Sequence, residues 1–268
     1  MIKLIITDMD GTLLNNRNEI NPKFWDVFQD LNKKGVIFSI ASGRPYYNLI
    51  KRFENIKDNL LFICENGSFV MYKNQELYSS TIDKNGVLEI IEAIKKVPNI
   101  IPLFCGKNSA YTQKSIFEAA SLEAQEEVQK YYDNLKLVDN VLEIEDDFLK
   151  IAICDINGAE ENSYKYFKTF EDKFQVVVSG SYWIDFANKG TNKGTAIAKV
   201  QKSLNITYDE TMAFGDYLND YEMMKEAKYS YAMKNAHPKL KEISNFITKY
   251  DNNQNGVVET IIESLRAN

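Results

Sequence analysis

Short apolar runs alternate along this chain with segments whose apolar residues recur every three or four positions, a pattern that predicts an α/β protein with a largely parallel sheet. The first run, residues 4–7, reads as a strand. After Pro22, which suits a helix start, Phe24, Val27, Phe28 and Leu31 recur at helical spacing until Gly35 closes the pattern. The continuous apolarity of residues 36–41 predicts a buried strand, followed by Ser42-Gly43-Arg44-Pro45 and a helix over 45–53. A third strand, 60–64, runs into Glu65-Asn66-Gly67, a turn signal. Three strands thus end in polar, glycine-bearing loops, where open parallel sheets place their ligands.

Between residues 83 and 187 the pattern changes. Val87, Ile90, Ile91 and Ile94 mark a helix, and strands are expected at 100–104 and 110–113. A charged helical stretch over 116–135, a strand at 149–154 and a helix over 160–174 follow. Residues 175–179 and 182–186, joined at Ser179-Gly180-Ser181, read as a hairpin and so as part of an antiparallel sheet. We therefore expect 83–187 to be an inserted α+β domain, with 1–82 and 188–268 forming a Rossmann-like core. Beyond the insertion the first pattern resumes. Thr191-Asn192-Lys193-Gly194-Thr195 opens a helix with Ala196, Ile197, Val200 and Leu204 on its buried side. Thr211-Met212-Ala213-Phe214 is a short strand ending in Gly215-Asp216-Tyr217-Leu218-Asn219-Asp220, and strands at 229–233 and 246–247 with a final helix over 257–265 complete the core.

The end of the first strand carries the sharpest chemical signal. In Asp8-Met9-Asp10-Gly11-Thr12 the carboxylates stand at i and i+2, so a continuing strand would turn both to one side, roughly 6 to 7 Å apart at Cα. Such a pair can divide labour around a phosphoryl group, one attacking phosphorus and the other moving the proton of the leaving oxygen. Two anions facing a phosphate call for a cation, and Mg2+ suits carboxylates, phosphate oxygens and water. A polar turn after a strand is the plainer reading of the same residues. Lys193, in the first turn of its helix, would aim its ammonium where a phosphate also meets backbone N–H groups; a solvated helix lysine is the alternative. Ser42 has a helix-capping alternative. His237, before Pro238, fits a capping or surface role, which leaves histidine-based hydrolysis without its base.

Composition narrows the classes further. At 268 residues, 44% hydrophobic and 26% charged, the chain can bury a sizeable core and has no disorder signature. A net charge of -6 argues against a broad nucleic-acid surface while leaving room for a local basic pocket. Cys64, Cys105 and Cys154 are scattered in apolar segments without metal-ligand spacing, as reduced core thiols of a cytoplasmic protein would be, and no zinc site is expected. No cleavable signal is expected ahead of the Asp8 strand, and no apolar run approaches the ~20 residues of a membrane helix.

Taken in order, Asp8-Met9-Asp10-Gly11-Thr12, Ser42-Gly43-Arg44, Lys193-Gly194 and Gly215-Asp216-Tyr217-Leu218-Asn219-Asp220 resemble the haloacid dehalogenase superfamily, specifically the Cof-type phosphatases with an inserted α/β cap. Met233-Lys234-Asn235-Ala236 and Asn255-Gly256-Val257 resemble that family's closing segments. The resemblance implies that Asp8 is the nucleophile, forming an aspartyl phosphate, and that Asp10 donates a proton to the departing alkoxide and later accepts one from water. It implies a Mg2+ ion held by the carboxylates of Asp8 and Asp216 and the backbone carbonyl of Asp10. The phosphate would be bound by the N–H groups of Met9 and Gly43, the Ser42 hydroxyl, the Lys193 ammonium and the Asn219 amide. Thr12 and Asp220 would orient these groups from behind.

The implied substrate is a small phosphorylated metabolite, sugar phosphates being typical, with no role for nucleic acid or a membrane. A phosphomutase or phosphotransferase using the same intermediate, and a catalytically silent ligand-binding module, remain open; oligomeric state is not legible. Tyr217 departs from the asparagine common at that place. Tyr46, Tyr182, Trp183 and Asp185 are candidates to line a substrate pocket, with ordinary packing as the simpler reading.

Overall fold

The computed structural model describes residues 1–132 and 134–267. Its strands are β1 (Leu4–Asp8), β2 (Ile37–Ala41), β3 (Leu60–Cys64), β4 (Phe69–Tyr72), β5 (Gln75–Ser79), β6 (Ile101–Gly106), β7 (Ala110–Gln113), β8 (Leu135–Val138), β9 (Phe148–Cys154), β10 (Phe174–Gly180), β11 (Trp183–Asn188), β12 (Thr211–Gly215), β13 (Tyr229–Ala232) and β14 (Phe246–Ile247). The helices are α1 (Lys23–Lys33), α2 (Tyr46–Arg52), α3 (Lys84–Ile94), α4 (Lys114–Ala119), α5 (Leu122–Tyr131), α6 (Tyr164–Phe167), α7 (Lys193–Leu204), α8 (Tyr221–Lys225), α9 (Pro238–Ile243) and α10 (Gly256–Ala267). Two compact units divide the chain, Met1–Ser79 with Asn192–Asn268, and Ser80–Thr191. Among the described residues no helix is long and apolar enough to cross a membrane.

The first unit is built on one sheet in the order β14-β13-β12-β1-β2-β3-β4-β5. From β14 to β3 every pairing is parallel. β1 lies inside this parallel part and is buried along its whole length, which is why Leu4-Ile5-Ile6-Thr7 shows no polar alternation. The α1 stripe Phe24, Val27, Phe28 and Leu31 is buried as its spacing predicts, with the Phe24 ring edge-on to Phe38 of β2. Parallel strands send their C-terminal ends the same way, so the loops after β1, β2, β3 and β12 gather at one end of the sheet. Register places Asp8 beside Ala41 and Thr7 beside Phe214, so the segments that follow start at nearly the same level.

The second unit carries a sheet in the order β10-β11-β9-β6-β7-β8, antiparallel apart from the β7–β8 pair. Strand alternation divides its apolar residues between two clusters. Ile151, Ile153, Ile184 and Phe186 pack with Val87 and Ile90 of α3, whereas Leu103, Cys105, Ala152 and Cys154 pack with Phe117 of α4 and Val128 of α5.

Several elements depart from the sequence pattern. The β4–β5 hairpin turns through Lys73 and Asn74, both at positive φ (50° and 59°), without the glycine that usually marks such a turn. The expected helix over 116–135 breaks at Ser121, whose hydroxyl accepts the Ala124 N–H at 3.3 Å and starts a new helix, and β8 follows it. The expected helix over 160–174 is a succession of short helical turns ending at Asp172, and Phe174 already belongs to β10.

Candidate functional site

β1 ends at Asp8, and a tight helical turn over Met9–Leu13 follows, closed by the Leu14 N–H donating to the Met9 carbonyl at 2.8 Å. The strand period therefore does not continue to Asp10. Gly11 makes the turn with φ 77°, and a Cβ there would stand 2.4 Å from Asp216 Oδ2, so backbone and carboxylate approach as only glycine permits. As a result the two carboxylates occupy different surroundings. Asp8 is 6% exposed. Asp10 is exposed and held in the fork of Arg44, with Nη2 at 2.6 Å from Oδ1 and Nε at 3.0 Å from Oδ2.

Lys193 begins α7, its helix start fixed by Asn192, whose side chain accepts the Thr195 N–H at 2.8 Å while Thr195 Oγ1 accepts the Asn192 N–H at 3.1 Å. It is no solvated helix lysine: its side chain is fully buried, with Nζ 2.5 Å from Asp8 Oδ1 and 2.7 Å from Asp220 Oδ1. Gly67 lets the loop after β3 press on this helix start, since a Cβ there would lie 2.2 Å from the Asn192 carbonyl. Asp220 is also fully buried, and its second oxygen accepts the N–H groups of Asp216 at 3.0 Å and Tyr217 at 3.3 Å. Asp216 Oδ1 accepts the Thr12 hydroxyl at 2.9 Å.

Carboxylate oxygens of Asp8, Asp216 and Asp220 lie within 4.8 Å of one another, with a single buried ammonium between them. The cost of that arrangement appears in their proton affinities. Burial pushes Asp8 up to about 8, more than the neighbouring Lys193 pulls it down. Burial, then repulsion from Asp220, raises Asp216 to about 6. Burial also opposes the charge on Lys193, but Asp220 and Asp8 outweigh it and hold its pKa above that of an ordinary lysine. Three acids against one ammonium leave unmet negative charge on hard oxygen donors, the chemistry that Mg2+ fits.

The remaining expected residues gather at the same sheet end. Met9 is fully buried directly after Asp8. Ser42 is buried and does not cap α2, which begins at Tyr46; its hydroxyl accepts the Arg44 N–H at 3.1 Å in the turn through Gly43. Asn219 donates its amide to Asn66 Oδ1 at 3.3 Å. Arg44 and Asn66 were not among the expected site residues. Asn66 belongs to the turn signal Glu65-Asn66-Gly67, all three at positive φ, and its carboxamide stands against Gly43. Tyr217 points its ring outward, edge-on to His237, which caps α9 through Nδ1 accepting the Lys239 N–H at 3.2 Å. Tyr46 packs edge-on to Phe62 and Phe69, Trp183 donates to Glu127 at 3.0 Å, and Asp185 stands 3.8 Å from Lys150, so each has a packing or pairing role.

The haloacid dehalogenase-like hydrolase family model matches residues 5–261. The chain is 32% identical to the 5-amino-6-(5-phospho-D-ribitylamino)uracil phosphatase YbjI of Escherichia coli over 99% of its own length and 97% of that protein's. It is 28% identical to the Bacillus subtilis phosphatase YcsE, named for the same substrate, over 97% and 94% of the two chains. Among solved structures, SMU.1108c of Streptococcus mutans superposes with a TM-score of 0.84 at 32% identity, covering 99% of this chain and all of that one.

Proposed function

We propose that this chain, which belongs to the haloacid dehalogenase-like hydrolase family, is a Mg2+-dependent phosphatase of small phosphorylated metabolites working through an aspartyl phosphate on Asp8. Its class is that of the phosphoric monoester hydrolases. The observation that carries the reading is the buried bridge of Lys193 between Asp8 and Asp220, 2.5 and 2.7 Å away. A solvated turn would not bury an ammonium and two carboxylates together, because desolvation of such charges costs several kcal/mol per ion, about as much as their pairing returns.

In this account Asp8 attacks phosphorus and the ester P–O bond breaks, while Asp10 gives its proton to the departing alkoxide. Water then attacks the phosphoryl group, the P–O bond to Asp8 breaks to free its carboxylate and release inorganic phosphate, and Asp10 takes up the water's proton. For that exchange the Arg44 fork on Asp10 must open. Lys193, the Ser42 hydroxyl, the N–H groups of Met9 and Gly43, and the Asn219 amide hold the phosphate oxygens. Asp8, Asp216 and the Asp10 carbonyl would hold Mg2+, which supplies charge neutralisation for the phosphoryl group. Asp220 serves Lys193 and the loop N–H groups rather than the metal, both of its oxygens being engaged by them. Thr12 steadies Asp216.

We assign substrate selection to residues 83–187 as a cap. Two relatives are named for a phosphoribityl substrate, so a primary phosphate ester on a polyol or sugar chain is the substrate class proposed. Buried Cys64, Cys105 and Cys154 suit a reducing, cytoplasmic setting. Hydrolysis of an aryl phosphate with and without Mg2+, followed by a panel of polyol and sugar phosphates, tests the reading. Metal-dependent release on at least one ester is expected; no release from any of them would overturn it.

A further inference from the structure

The segment between β13 and α9 lies more than 200 residues beyond Asp8 and Asp10, yet it holds their loop as well as the loop that carries Asp216 and Asp220. On one side it fastens the end of β12: the Met233 N–H donates to the Gly215 carbonyl at 2.9 Å and the His237 N–H to the Asp216 carbonyl at 2.8 Å. On the other, Asn235 Nδ2 donates to the Gly11 carbonyl at 2.8 Å. The same carboxamide uses its oxygen as well, Oδ1 accepting the Asn252 N–H at 3.1 Å. Asn252 in turn donates through Nδ2 to the Leu14 carbonyl and to Asn16 Oδ1, each at 3.0 Å.

We infer that Asn235 is a positioning residue for the phosphatase reaction, holding the Gly11 carbonyl so that the Asp10–Gly11 turn keeps its spacing from Asp8 and Asp216. The need for it lies in the turn itself. Gly11 stands at φ 77° with no side chain to wedge it in place, and it presses on the Asp216 carboxylate. Within the turn the Met9 carbonyl is satisfied by Leu14 N–H, whereas the Gly11 carbonyl is satisfied from outside the loop by Asn235. A peptide plane at glycine rotates readily, and rotation here would displace the Gly11–Thr12 peptide and with it Thr12, whose hydroxyl donates to Asp216. Only a group that both donates and accepts can serve the two partners. Asparagine does, whereas an aspartate in its place keeps the Asn252 contact and turns an anion toward the carbonyl.

The inference rests on the phosphatase reading, and its test separates the two. Steady-state hydrolysis of an aryl phosphate in saturating Mg2+ is measured for wild type, Asn235→Asp, Asn235→Ala and Asn253→Ala, with a melting curve for each. Asn253 Oδ1 accepts the Asn16 N–H at 3.0 Å, so its loss disturbs the neighbouring loop without touching Gly11. Asn235→Asp is expected to lose kcat by about 10- to 100-fold with KM within about threefold and Tm within about 3 °C of wild type, while Asn253→Ala keeps kcat. An active wild type with unchanged kcat in both Asn235 variants would overturn the inference. So would a loss of activity that only follows a collapse in Tm, which marks a merely structural residue. An inactive wild type would instead strike at the phosphatase reading.

Discussion

The two units bury charge in opposite ways. In the second unit each buried acid is satisfied separately, without sharing its charge with a second acid: Asp155 accepts the Asn157 N–H and the Asn162 amide in its own turn, and Glu127 accepts from Lys130 one helical turn away and from Trp183 of β11. In the first unit Asp8, Lys193 and Asp220 come from three separate segments and share charge that none of them neutralises alone. Separate satisfaction of this kind steadies a fold, whereas an assembled charge imbalance costs stability and has to be justified by what it binds.

Replacing Asp8 with Asn should have the largest effect. Phosphatase activity is expected to fall at least about 1,000-fold, as for loss of a nucleophile, while the melting temperature holds or rises because a frustrated anion has gone. Enzyme assay and thermal unfolding on the same preparation check both halves.

Removing the cation should do the reverse to stability. Lys193→Met leaves two buried carboxylates facing each other, at a cost of about 3 kcal/mol or more in denaturant unfolding, and abolishes turnover as well. If stability were unchanged, the bridge would not be the buried ion pair described here.

Acidity sharpens the contrast without a mutation. Asp8 at about 8 and Asp216 at about 6 bind protons more tightly when folded than as ordinary unfolded carboxylates near 4. The folded state therefore holds more protons between about pH 4 and 8, and the stabilising contribution of these groups is lost as pH rises through that window. In chelator the melting temperature should fall from pH 5 to 8, and Mg2+ should restore more at pH 8 than at pH 6, where protons compete with it.

The smallest effect belongs to the second unit. Lys130 is solvent-exposed on its ion pair with Glu127, so Lys130→Ala should leave Tm within about 2 °C and kcat unchanged.

Much of this was legible in the sequence because parallel strands need no alternation and end in loops that declare their chemistry. The helix of Phe24 to Leu31 and the strands that end at Asp8 and just before Asp216 follow from apolar spacing alone. The separate surroundings of Asp8 and Asp10 do not, because the chain leaves the strand after Asp8 and the direction of Asp10 is decided by Gly11 and by Arg44, 34 residues on. Asn66 and Asn235 were hidden for a similar reason. Their partners, Asn219 and the Gly11 carbonyl, are distant in sequence, and an asparagine beside a turn looks like turn chemistry. In the second unit β8 escaped because a charged helical pattern ran on past Ser121, where a single hydroxyl restarts the helix.

Where the phosphoryl group goes decides whether Asp8 is the nucleophile. Acid quench of the enzyme with a phosphate ester and Mg2+ during turnover, followed by mass spectrometry of its peptides, should find phosphate on the peptide containing Asp8 and none in Asp8→Asn. Phosphate on another residue, or turnover with no phosphoenzyme and full activity in Asp8→Asn, would contradict that role.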